Sequence, residues 1–147
     1  LPTMPEKEVE PVGVAKAVEE ILKELGKDVK LAREGQNSWS VKEGSAKIKI
    51  SYNPENYFIA GDAYLCQLPA DPGQIKPLYQ YLLQENYKMN GLVLSCVKQN
   101  IVLSSIVYDL DMTKDSGMET FRRLFKKADE YDDFLKKEYG CVGRLEE

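Results

Sequence analysis

Reaction chemistry near neutral pH usually needs a base, an activated nucleophile or a metal ligand, and this sequence is poor in all three. It contains no histidine, which removes the commonest general base and the commonest metal ligand. The three cysteines, Cys66, Cys96 and Cys141, are odd in number and far apart. They form no Cys-x-x-Cys pair and no zinc spacing. Without histidine, no Cys–His nucleophile can be assembled within the chain. Cys66 and Cys96 fall inside apolar runs and read as small buried hydrophobes. Cys141 follows a helix end and is expected at the surface.

Two acidic features invite a chemical reading. The segment Asp109-Leu110-Asp111-Met112-Thr113-Lys114-Asp115 resembles the start of a calcium loop. Counted from Asp109, however, the glycine position holds Lys114 and the closing glutamate position holds Thr120, so the ligand spacing fails. Its acids instead suit the positive end of a helix. Asp62 lies in an otherwise apolar strand with no base or second carboxylate beside it. It reads as a strand-end or edge carboxylate that bonds a turn or keeps another strand from pairing. No glycine-rich phosphate cradle occurs. Neither catalytic residue, metal nor cofactor is therefore expected, and the chain reads as a non-enzyme.

The bulk properties agree. At 147 residues the chain suits one domain that buries roughly two-thirds of its unfolded surface without a disulfide or metal. The net charge of −4 speaks against broad binding to nucleic acid or to an anionic membrane, both of which call for basic surfaces. No apolar run is long enough to cross a bilayer. Unpaired thiols suit a reducing cytoplasm.

The elements follow from periodicity. Residues 1–11, with three prolines, read as a flexible lead-in, and residues 141–147 as a tail. Between them Val14, Val18, Ile21, Leu22 and Leu25 make one stripe of an amphipathic helix. Three strands come next. The first covers Gln36–Val41, and Lys42-Glu43-Gly44 turns the chain. The second alternates Ala46, Ile48, Ile50 and Tyr52 with polar residues. The third runs from about Tyr57 to Leu68, where Gly61 predicts a bend, a bulge or close packing beneath a helix. Asp71 and Pro72 start a second helix whose buried stripe reads Ile75, Leu78, Tyr79, Leu82, Leu83 and Asn86. Leu92–Val97 and Ile101–Tyr108 form a hairpin. A third helix runs from about Thr113 to Tyr139, with acid-first pairs such as Asp132–Lys136. Trp39 reads as a packed ring rather than a ligand contact. The expected fold is α+β: a single five-stranded sheet with three helices in the order α-β-β-β-α-β-β-α.

That order, together with the runs Trp39–Ala46, Tyr57–Ala63, Leu68-Pro69, Leu78–Asn86, Gly91-Leu92 and Lys127–Asp132, resembles the YbjN-like bacterial domains and the type III secretion chaperones. The resemblance covers about Val12 to Gly140. It implies a cytoplasmic bacterial domain, usually dimeric, that binds polypeptide segments or serves regulation.

One pattern in the residues points the same way. A sheet with helices on one side only should alternate apolar and polar residues. In the hairpin both faces are apolar. One carries Leu92, Leu94, Cys96, Ile101 and Leu103; the other carries Val93, Val97, Val102, Ile106 and Tyr108. Something should cover the second face: a second copy, a bound polypeptide or the chain's own third helix or N-terminal segment. Tyr81 lies about 120° around its helix from Ile75, and Phe134 about 120° from Ala128. Both fall off their helices' buried stripes and are candidate rim residues. The function expected is protein binding, chaperone-like or regulatory, in a homodimer. The alternative is a small-ligand or signal sensor with its pocket between helix and sheet.

Overall fold

The first amphipathic stripe folds as α1, Gly13–Glu24, and buries Val18, Ile21 and Leu22 completely. The computed structural model describes residues 13–108 and 113–144. After α1 comes a single helical turn, α2 (Val29–Ala32), whose Asp28 carboxylate accepts the Lys30 and Leu31 amides. The strands are β1 (Arg33–Gly35), β2 (Ser38–Glu43), β3 (Ala46–Asn53) and β4 (Phe58–Gln67). A 3-10 turn, Pro72–Gln74, leads into α3 (Ile75–Lys88). Then follow β5 (Val93–Val97), β6 (Asn100–Tyr108), α4 (Lys114–Tyr139) and β7 (Val142–Gly143).

The sheet is antiparallel throughout, in the order β1-β2-β3-β4-β6-β5. β7 pairs with Cys66 and Gln67 of β4, beyond the point where β3 has left that edge. The α+β class and the eight longer elements are as expected from the sequence. Among the described residues the count is corrected to seven strands and four helices. The additions are α2, β1 and β7, each too short to show a period: four, three and two residues.

The inner face of the sheet carries Trp39, Ile48, Ile50, Ile59, Leu65, Ile101 and Leu103, all essentially inaccessible. They meet Ile21 and Leu22 of α1 and Phe121, Leu124, Ala128 and Leu135 of α4 in one core. Gly61 resolves the sequence ambiguity as close packing, because α4 presses on β4 at that point. The irregularity in β4 falls instead between Tyr64 and Cys66. α4 is well delimited. Thr113 and Ser116 cap each other's backbone at its start, and Gly140 adopts the left-handed conformation that stops a helix.

α3 differs from its predicted pattern. Only Leu78 and Leu82 are buried; Tyr79 and Leu83 face solvent with Tyr87. The helix lies along the β5 edge of the sheet, not across it, so its buried stripe is narrower than one that spans a sheet. The Asn86 side chain accepts from the Leu94 amide and donates to the Leu94 carbonyl. A side-chain amide thus takes the place of a further strand on the outermost β5.

The cysteines also depart from expectation. Cys96 is exposed, its thiol donating to the Lys98 carbonyl at 3.3 Å, because it sits on the outermost strand. Cys141 is buried, since β7 brings the chain back against β4. The Cys141 thiol beside it, and then burial, push the Cys66 thiol far above its ordinary pKa. Of the predicted termini, residues 1–11 and 145–147 lie outside the described residues, as do Asp109–Met112 of the acidic segment. No described helix is long and apolar enough to cross a membrane.

Candidate functional site: the open face of the sheet

Strand register fixes which side chains share the outer face. In one row Lys42, Lys47, Tyr64, Val102 and Ser95 lie side by side across β2, β3, β4, β6 and β5. The next row reads Ser40, Lys49, Asp62, Ser104 and Val93. Above it come Ser38, Ser51, Ala60 and Ile106, then Asn53, Phe58 and Tyr108. The face is therefore divided: polar and basic on β2 and β3, and mostly apolar on β4, β6 and β5, where Asp62, Ser104 and Ser95 are the exceptions.

Four of the seven predicted partner residues are exposed on this face, spread along the hairpin from Val97 at one end to Tyr108 at the other. Val93, Val97, Ile106 and Tyr108 are 55, 47, 60 and 57% exposed. Val102 shares their face but is only 2% exposed. Standing mid-sheet between Tyr64 and Ser95, it is floor to the patch and not part of its contact surface. Tyr81 and Phe134 are placed elsewhere. Their rings stack at 5.0 Å and, with Tyr139, form a three-ring cluster that ties α3 to α4. Glu85 accepts from the Tyr81 and Tyr131 hydroxyls at 3.0 and 3.2 Å. Burial, and then the Glu85 carboxylate, push the Tyr131 hydroxyl up to about 12. This cluster packs within the monomer and does not border the sheet patch.

Asp62 lies mid-strand, not at a strand end or edge. It accepts from the Ser104 hydroxyl at 2.7 Å across the β4–β6 pair. That bond lies in the row between Lys49 and Val93. Lys49 reaches over the Tyr64 ring at 5.7 Å. Aromatic residues at the far end of β4 and β6, Phe58 and Tyr108, are paired directly.

Among the described residues no cluster of three or more potential metal ligands occurs. An ion pair lies on the other side of the sheet. Glu19 accepts from Arg33 at 2.6 and 2.8 Å and from the Trp39 indole at 2.8 Å. Burial works against the Glu19 charge, but these donors outweigh it and hold its pKa below the ordinary carboxylate value. Trp39 is thereby confirmed as a packed ring, 1% exposed.

A second apolar surface escaped the sequence reading. Tyr79, Leu83 and Tyr87 line the outer face of α3, flanked by Lys76 and Lys88, along a groove of about 940 Å³. Tyr87 was the available signal: a large aromatic outside the expected stripe.

No family model matches the sequence, and no curated protein does. Solved structures do match. YbjN from E. coli superposes with a TM-score of 0.60 at 14% identity, over 92% of this chain and 98% of its own. The Yersinia pestis type III secretion chaperone SycH, in complex with a fragment of YscM2, gives 0.56 at 17% identity over 79 and 97%. ExsC, in its complex with ExsE, gives 0.58 at 13% identity over 86 and 92%. The chain therefore has the fold shared by YbjN and the type III secretion chaperones.

Proposed function

We propose that this chain is a non-enzymatic protein-interaction domain, chaperone-like or regulatory, that holds a polypeptide segment on the open face of its sheet. The observation that carries the reading is the line of Val93, Val97, Ile106 and Tyr108, about half exposed on the sheet face that, among the described residues, has no helix over it. Apolar side chains gathered in this way mark interaction surfaces. SycH and ExsC, which share the fold, were each solved with a protein partner, and this supports the same reading. A bacterial cytoplasmic setting fits it.

A homodimer is part of the proposal, and α3 is the surface that suits it. Tyr79 and Tyr87 lie four residues to either side of Leu83. An antiparallel copy would set Leu83 on Leu83 and Tyr79 on Tyr87, the self-complementarity that a two-fold interface needs. The sensor alternative is less favoured. Its pocket would lie between helix and sheet, where Gly61 and Leu124 are already in tight contact.

The test is affinity purification of tagged wild-type protein and Ile106→Asp from the native cytosol. A polypeptide retained by the wild type and lost from the variant supports the proposal. Equal retention by both, or no retained polypeptide, contradicts it.

A further inference from the structure

The basic half of the open face says what kind of polypeptide fits. The chain is acidic overall, yet Lys42 and Lys47 stand directly opposite each other on β2 and β3, with Lys49 two residues along. Like charges directly opposite across a strand pair are unfavourable. Among the described residues no carboxylate forms an ion pair with Lys47 or Lys49. The nearest acid in register, Asp62, is engaged by Ser104. β3 is paired on both sides at Lys47 and Lys49, so these two lysines are not guarding an edge. Beyond Asp62 and Ser104 the same row ends at Val93, and the next row reaches Ile106.

We propose that the open face binds an extended segment of another protein that is acidic at one end, over Lys47 and Lys49, and apolar at the other, over Ile106 and Val93. This rests on the reading above and names the partner's chemistry. The geometry also sets a spacing. Ile106 lies two strand spacings across and two residues along from Lys49, about 12 Å, and Val93 three spacings across, about 14 Å. An extended chain covers that in about four residues. A segment lying across the strands therefore carries its carboxylate about four positions from its apolar anchor. The charges steer and orient the segment, and the apolar contact holds it.

A random peptide library displayed on phage, panned on the full chain at low salt, tests this. Recovered peptides are synthesised and measured by fluorescence anisotropy. The targets are wild type, Lys47→Glu/Lys49→Glu, Ile106→Asp and the α4 control Lys126→Glu. Thermal melts establish that each is folded, and Lys47→Ala/Lys49→Ala with Ile106→Ser replace any variant that is not. The expected result is enrichment of Asp or Glu about four positions from Leu, Ile or Phe. Affinity should fall about tenfold or more in both face variants, corresponding to about 1.4 kcal/mol. It should be unchanged in the control and weaken with salt. Neutral or basic peptides that lose affinity in Ile106→Asp but not in the lysine variants overturn the acidic partner and leave the peptide-binding reading standing. Peptides indifferent to Ile106→Asp, or no recovered peptide, overturn both. A wild-type dimer in sedimentation that Ile106→Asp dissociates makes a second copy the occupant and also overturns the proposal.

Discussion

Gly61 of β4 lies directly beneath Leu124 of α4, so close that a methyl group built on Gly61 would stand 2.6 Å from Leu124 Cδ2. The absence of a side chain there lets the longest helix seat against the centre of the sheet, and that seating leaves the opposite face open. Gly61→Ala should destabilise the domain by about 1–3 kcal/mol through overpacking. Leu124→Ala alone should cost about 2–5 kcal/mol as a cavity. The double variant should cost less than the two together, because the new methyl group fills part of the space that Leu124 vacates. Urea denaturation of the four proteins measures the coupling; strict additivity would mean that the two residues do not press on each other.

The two faces of β6 should respond oppositely to charge. Ile106 is exposed and Leu103 is fully buried. Ile106→Asp should lower stability by no more than about 1 kcal/mol, the range of strand propensities. Leu103→Asp places a carboxylate in the core and should abolish the cooperative melt. Circular dichroism separates these outcomes, and loss of the melt in both would make the outer face internal.

Glu19 gives a pH signature. Its folded pKa is depressed, so its contribution is present above the ordinary carboxylate pKa and is lost as pH falls through the folded value. Asp132 runs the other way: burial first, against the opposing Lys136 ammonium, raises its pKa. At neutral pH Glu19→Gln should cost about 2 kcal/mol. That is below the range for fully buried pairs, because Arg33 keeps a quarter of its side chain in water. The difference from wild type should shrink as the solution is acidified below the carboxylate range. A constant difference would place the stabilisation in packing and not in charge.

Asn86 guards the outermost strand. Asn86→Ala should free the outward amide and carbonyl of Leu94, cost about 1–2 kcal/mol and raise the tendency of β5 to pair with another chain. Light scattering on heating should show earlier aggregation than wild type; unchanged scattering would mean that α3 covers the edge without it.

What was legible in the sequence follows physical period. The alternation of Ala46, Ile48 and Ile50 against Lys47, Lys49 and Ser51 fixed both faces of β3, and the lysines landed outside as that alternation requires. The apolar hairpin face was legible as well, because Val93, Val97, Ile106 and Tyr108 break the alternation. Burial within that face was not: Val102 differs from Ile106 only in having neighbours on both sides in the sheet. Tyr79 and Leu83 misled for a related reason. Helical period shows a stripe but not whether the helix lies over a sheet or beside it. Cys141 and β7 depend on a chain end returning to β4, a long-range contact with no local signature.

Methyl-resolved NMR reads the location of the partner directly. The protein is titrated with the polypeptide recovered from the cytosol or from the displayed library. The Val93, Val97 and Ile106 methyl signals should shift first and furthest, with Leu83 on α3 unmoved. Shifts confined to Leu83 and its neighbours, with the sheet face unchanged, would contradict that location.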